Sequence, residues 1–201
     1  MYGVRAYWDA FIALFIVFDS IGNIPIFYSL TRGLREEERE RIFLKSVAVA
    51  SSLLLFFTFF GYAFLEYYGV TMSDFKIAGG LLLLLIAVEG IMGRVEAEQI
   101  EVEDIAVVPM ATPLLAGPGS IYMVMYLNTV YGPLPTIFSI AANTALAFVL
   151  LKYSQQILRH AGRNFILVIS KVFSLLLAVI AVSMMRSGVE EIVRLLLNNK
   201  M

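Results

Sequence analysis

Phe18-Asp-Ser-Ile-Gly-Asn-Ile-Pro25 and Thr112-Pro-Leu-Leu-Ala-Gly-Pro-Gly-Ser120 each place proline, glycine and polar residues in the middle of an apolar block. Within a continuous helix Pro25 would strip the carbonyl of Ile21 of its N–H partner, and Pro118 would do the same to Leu114. Gly22, Gly117 and Gly119 loosen the same turns. An unsatisfied backbone group in hydrocarbon costs several kcal/mol, so irregular chain at that depth persists only where it is buried in protein or lines a cavity. The pattern predicts true breaks rather than kinks, with the first and fourth membrane helices facing each other.

The two stretches are related by a repeat. A shift of 93 residues lays Ser20-Ile-Gly-Asn-Ile-Pro25 on Pro113-Leu-Leu-Ala-Gly-Pro118. A shift of 94 lays Leu81 to Leu83 and Ile86-Ala-Val88 on Leu175 to Leu177 and Ile180-Ala-Val182. Two offsets agreeing within one residue, joined to a shared mid-block break, indicate two similar halves.

Composition sets the frame. Of the 201 residues 60% are hydrophobic and 15% charged, against about 45–50% and about 25% in soluble domains. Apolar blocks fall near 10–30, 43–65, 75–93, 105–130, 134–152 and 165–186, each about the 20 residues that a bilayer-spanning helix needs. The expected fold is therefore all-α: a polytopic membrane protein of six transmembrane helices, arranged as two three-helix repeats with discontinuous first and fourth helices. Three spans per half force the second half to enter from the opposite face, so the repeats are inverted. The expected divisions are a first repeat over 1–93, an acidic cytoplasmic connection over 94–104, a second repeat over 105–186 and a tail over 187–201. That tail either lies along the interface or continues the last helix. No polar stretch is long enough to bury a soluble catalytic core.

Basic residues orient the chain. Arg32, Arg35, Arg39, Arg41, Lys45, Arg94, Lys152, Arg159, Arg163 and Lys171 border the first, third and fifth connections, and Arg5, Lys76, Arg186, Arg194 and Lys200 lie on the other side. The positive-inside tendency puts the first group in the cytoplasm and both termini outside. The first apolar block contains Asp19, Asn23 and Pro25, a poor match to a cleaved signal, and reads as mature structure. The run Arg35 to Arg41 reads as a solvated helical extension before the second span, with Glu37 and Arg41 spaced as a surface pair.

Broken helices make a site without catalytic side chains. The start of a second half-helix offers unpaired N–H groups and positive partial charge, and the end of a first half-helix offers bare carbonyls. A free amino acid carries a carboxylate and an ammonium and matches both. The candidate substrate-binding residues are Asp19, Ser20, Gly22, Asn23, Thr112, Ala116, Gly117, Gly119, Ser120 and Asn143, and Pro25, Pro113 and Pro118 mark the breaks. Asp19 has two readings, a proton-coupling or ammonium-binding group or a structural acceptor that holds the first break open. Asn143 and Thr144 could contact solute or close a helix contact. Phe56, Phe57, Phe59 and Phe60 read as lipid-facing or packing surface.

At these motifs the chain resembles the MarC family, which includes small neutral amino acid transporters. The residues that carry the resemblance are Phe18-Asp-Ser-Ile-Gly-Asn-Ile-Pro-Ile-Phe27, Phe75-Lys-Ile-Ala-Gly-Gly80 and Ile105-Ala-Val-Val-Pro-Met-Ala-Thr-Pro-Leu-Leu-Ala-Gly-Pro-Gly-Ser-Ile121. It implies a six-helix plasma-membrane protein with both termini outside, which moves glycine, alanine, serine and similar solutes in symport with protons. Carbonyl-rich breaks could hold sodium instead. Where the family commonly has Asp-Pro or Asn-Pro, this chain has Asp19-Ser20.

The competing functions are weaker on these residues. A channel needs a continuous polar stripe or charged ring, and too few polar residues lie in the blocks. An intramembrane enzyme would need a metal motif or paired aspartates, whereas cysteine is absent and the single His160 sits in a polar loop. A non-transporting membrane assembly protein stays as the other alternative. No cofactor, metal or nucleic-acid partner is expected, and the lipid bilayer is the expected surroundings.

Overall fold

In the computed structural model, residues 3–31, 33–92 and 106–198 are described, and all regular structure among them is helical. Chain order gives α1 (Val4–Phe18), α2 (Ile24–Leu30), α3 (Glu36–Tyr67), α4 (Met72–Met92), a π-helical segment (Ala106–Leu115), α5 (Pro118–Tyr131), α6 (Pro133–Lys152), α7 (Ser154–Ala161) and α8 (Arg163–Asn198). Four helices are long and apolar enough to cross a bilayer: α3, α4, α6 and, within α8, Leu167–Asn198. The apolar blocks 10–30 and 105–130 are instead each divided into two helical pieces. The expected connection over 94–104 lies outside the described residues.

Sequence explains the helix ends. Glu36, Glu37 and Glu38 occupy the first turn of α3, where carboxylates meet the positive end of the helix dipole. Glu38 accepts from the Arg35 N–H at 3.0 Å and pairs with its guanidinium at 2.8 Å. Within this stretch Arg35 pairs with Glu38, in place of the expected Glu37–Arg41 pair. Gly132, with φ of 79°, turns the chain directly from α5 into α6, which opens on Pro133; positive φ favours glycine there. Helix α8 runs 36 residues to Asn198, about 54 Å at 1.5 Å per residue. Residues 187–198 therefore continue the last helix. Toward the far end of α3, Phe56, Phe59 and Phe60 are exposed, and the Phe56 ring contacts those of Phe57 and Phe60.

The buried side chains form two separate cores. The larger draws Leu14 and Phe18 from α1, Phe27 from α2, Phe43 and Leu54 from α3, Met110 and Leu115 from the π-helical segment, Leu127 from α5 and Leu151 from α6. The smaller consists of Leu83 and Ala87 of α4 with Leu177 and Ala181 of α8. Within the larger body α3 lies against α6, with Ser51 Oγ 2.8 Å from Thr144 Oγ1 and Lys152 Nζ 2.6 Å from Glu40 Oε1.

Helices α4 and α8 form an antiparallel arm packed through glycine. A methyl group at Gly80 would stand 2.8 Å from the Ala181 carbonyl oxygen and 2.6 Å from Met185 Cγ. One at Gly188 would stand 2.7 Å from the Ser73 carbonyl oxygen, and one at Gly90 would meet Ser174 Oγ. Small residues that let backbones approach are the main source of helix association in lipid, where apolar burial supplies little. Lys76 Nζ reaches Glu191 Oε2 at 2.8 Å across the same interface.

Gly80→Ala is expected to destabilise the arm by about 1–3 kcal/mol, because the Ala181 carbonyl and the Met185 backbone, and not Met185 Cγ alone, meet the added carbon. Gly3→Ala, with nothing within 4 Å, is expected to stay within about 0.5 kcal/mol of the parent. Unfolding in mixed SDS micelles measures both.

Candidate functional site at the meeting of two helix breaks

The first break begins at Asp19, the C-cap of α1, which adopts the left-handed conformation at φ 46°, ψ 42°. Its N–H bonds back to the Phe15 carbonyl at 3.2 Å, and its own carbonyl accepts from Asn23 N–H at 3.1 Å. The buried Asp19 Oδ1 accepts from Gly22 N–H at 3.1 Å. A side chain at position 22 would collide with that carboxylate and displace it from the Gly22 N–H. The Ile21 carbonyl receives Ile24 N–H at 3.2 Å, and Pro25 is the second residue of α2. Proline there sits in a first turn, where a missing N–H costs nothing.

The second break follows a widened helix. Pro109 and Pro113 stand four apart, so an α-helix over this stretch would lack two donors in adjacent turns. The chain instead bonds five residues back: Ala116 N–H to the Ala111 carbonyl at 2.8 Å, and Thr112 Oγ1 to the Val107 carbonyl at 3.2 Å. Ala116 and Gly117 then leave helical geometry, and Pro118 starts α5. Ser120 Oγ closes the junction on the Leu115 carbonyl at 2.9 Å. Single π-helical turns recur at functional sites.

Both breaks line one cavity. Asp19 and Asn23 from the first and Gly117, Gly119 and Ser120 from the second enclose a space of about 20 Å³, with Val17 beside them and Leu83, Ile86 and Leu177 of the arm closing it. That is room for about one water. The cavity lies at the seam between the two cores, so its walls belong to different packing units. A methyl group at Gly119 would stand 2.8 Å from Val17 Cγ1 and 3.0 Å from Leu83 Cδ2.

The other sequence-derived candidates sit elsewhere. Ser20 is buried, and its Oγ has no partner among the described residues. Ala116 belongs to the larger core, and Thr112 is taken up by the π-helical turn. Asn143 joins helices, its Nδ2 reaching the Phe11 carbonyl at 3.2 Å and the Ser139 carbonyl at 2.9 Å. Of Gly22, the N–H goes to Asp19 and the carbonyl accepts from Ser170 Oγ at 2.7 Å. Ser170, Leu83, Ile86 and Leu177 were not singled out as site residues from the sequence. The repeat match that includes Leu83, Ile86 and Leu177 was a signal for three of them; a serine in a leucine-rich helix gives none.

A larger polar groove of about 310 Å³ lies between α3, α6 and α7, lined by Glu36, Arg39, Glu40, Lys152, Gln155 and Arg159 among others. Lys152 is already held by Glu40, and Arg39 bonds Gln155 Oε1 at 2.7 Å. The small cavity is the stronger site, because helix ends and a buried carboxylate converge on it. No group of metal-binding side chains occurs among the described residues.

These features define a helical integral membrane protein whose irregular backbone is gathered at one internal seam. Residues 4–193 match the model of the MarC family integral membrane protein, and the chain belongs to that family. It is 33% identical over 192 residues to the UPF0056 membrane protein MJ1677 of Methanocaldococcus jannaschii, covering 90% of this chain and 94% of the relative. The UPF0056 membrane proteins YvbG of Bacillus subtilis and YhcE of Escherichia coli are 32% and 30% identical, covering 90% and 96% of this chain and 92% and 95% of their own. No solved structure matches it.

Asp19→Leu is expected to cost about 2–4 kcal/mol, since it leaves the Gly22 N–H without its acceptor and puts a branched side chain in left-handed geometry. Asp19→Asn keeps an oxygen acceptor and tolerates that geometry, so it is expected to stay within about 1 kcal/mol. SDS unfolding of the two variants beside the parent tests the pair.

Proposed function

We propose that this protein is a secondary active transporter of small neutral amino acids, the glycine, alanine and serine class, working by alternating access around the cavity between the two breaks. The observation that carries the reading is that Asp19 and Asn23 from one break and Gly117, Gly119 and Ser120 from the other line the same space. The first turn of α5 presents N–H groups with no partner inside their helix, suited to a carboxylate. The end of α1, with the Asp19 carboxylate, suits an ammonium. A zwitterion satisfies both, and Asp19 is the proposed proton-coupling group. The space of about 20 Å³ is too small for such a solute, so entry requires the arm and the body to part.

The six-span reading counts α1–α2 and the π-helical segment with α5 as two interrupted spans beside α3, α4, α6 and α8. Three observations support inverted halves. Ser51 and Thr144, 93 residues apart, bond to each other, as positions on a local two-fold axis would. The smaller core is made of Leu83 with Leu177 and Ala87 with Ala181, two pairs 94 apart. Helix α1 lies against α6, and the π-helical segment lies against α3, contacts that exchange when the halves are swapped. The basic residues favour an orientation with both termini outside, and the family resemblance implies the plasma membrane.

Saturable, stereoselective counterflow of labelled glycine or alanine in proteoliposomes is the expected result, and folded protein without exchange would refute the transporter reading. Asp19→Asn is expected to abolish uptake or free it from the proton gradient while the protein stays folded; full proton-driven uptake in that variant removes the coupling role. Gly119→Val, which fills the seam between Val17 and Leu83, is expected to lower exchange by at least about tenfold, a loss of about 1.4 kcal/mol or more in solute binding.

A further inference from the structure

The arm of α4 and α8 meets the body through few polar or charged contacts. On one side of the cavity, Ser170 of α8 donates its hydroxyl to the Gly22 carbonyl at 2.7 Å. On the other, Lys76 of α4 holds its ammonium 6.0 Å from the centre of the Tyr122 ring of α5. Ser170 precedes the cavity-lining Leu177 by seven residues, and Lys76 precedes Leu83 by seven, about 10 Å along each helix. Because α4 and α8 run antiparallel, the two contacts fall on opposite sides of the cavity. Positions 76 and 170 are also 94 apart, the offset that relates Leu83 to Leu177.

We propose that Lys76 and Ser170 are the two latches of the seam, equivalent positions in the two halves. Breaking the Ser170–Gly22 bond opens the cavity toward the Arg163 end of α8, and breaking the Lys76–Tyr122 contact opens it toward the Met72 end of α4. The proposal rests on the alternating-access reading. Each latch has chemistry that water can replace: a carbonyl released by a hydroxyl at a helix break and an ammonium released from an aromatic face are both readily hydrated. Inside the arm, by contrast, glycine contacts with backbone leave no such exchange, so the arm moves as one piece. The Lys76–Glu191 pair joins α4 to α8 and travels with it.

The test uses the natural absence of cysteine. Ile86→Cys places one thiol on the cavity wall of the full chain in oriented proteoliposomes, and a membrane-impermeant maleimide is added from one face at a time. Adding Ser170→Ala is expected to raise labelling about three- to tenfold from the Arg163 face alone, and adding Lys76→Gln to raise it similarly from the opposite face alone. Tyr122→Leu removes the second latch without touching the Lys76–Glu191 pair and is expected to reproduce Lys76→Gln; Ser170→Thr, which keeps the hydroxyl, is expected to restore slow labelling. A rise from both faces alike, or no rise in Ser170→Ala, Lys76→Gln and Tyr122→Leu, overturns the latches. Face-specific labelling without amino acid counterflow keeps the latches and refutes the transport reading, and counterflow with unchanged labelling does the reverse.

Discussion

Backbone polar groups cannot be left bare in hydrocarbon, and two interruptions of membrane helices create several of them at once. Every packing choice near the cavity answers that constraint. Asp19 turns back to take the Gly22 N–H, Ser170 reaches across from α8 to the Gly22 carbonyl, and Ser120 covers the Leu115 carbonyl. The breaks lie together because each needs protein, not lipid, around it. The arm lies over them because the remaining side of the seam would otherwise be open. The proposed site of helix ends follows from this arrangement and needs no reactive side chain.

The residues that break the helices were legible because proline and glycine act locally. Pro25 stands in the first turn of α2 and Pro118 opens α5, and the apolar lengths located α4 and α6 within a few residues, whereas α3 starts earlier at Glu36 and α8 runs on to Asn198. The widened helix over Ala106–Leu115 was not legible, although its cause is in the sequence: two prolines four apart leave a choice between bending an α-helix and adding a residue per turn, and tertiary packing makes that choice. Asn143 shows the same limit. An amide in mid-helix can face a solute or a neighbouring helix, and only the approach of the Phe11 carbonyl decides between them.

The division into body and arm was hidden for a different reason. Leucine-rich helices carry almost no directional pattern, so α4 and α8 gave no sign of which faces meet. Their partnership depends on Gly80, Gly90 and Gly188 standing opposite Ala181, Ser174 and Ser73, a matching of small residues across about a hundred positions of chain. Once it is known, the repeat gains meaning. The offset that matched Leu83 to Leu177 in sequence also relates two residues that meet in the smaller core, the arrangement that the proposed inverted halves would produce at a shared axis.

Strength is distributed unevenly, and that unevenness is what the proposed opening of the seam requires. Glycine-to-backbone packing inside the arm tolerates no displacement without a clash, whereas a single hydrogen bond contributes about 1 kcal/mol net and so shifts an open–closed balance only about fivefold. Had the seam been sealed by interlocked glycines like those between α4 and α8, opening would cost several such contacts together and the cavity would stay shut. Had it been sealed by apolar side chains alone, nothing would hold the carbonyl of Gly22, and the first break would carry an unpaired group at membrane depth. In the proposed opening the Ser170 contact meets both demands, because it satisfies the Gly22 carbonyl when closed and passes that group to water when open.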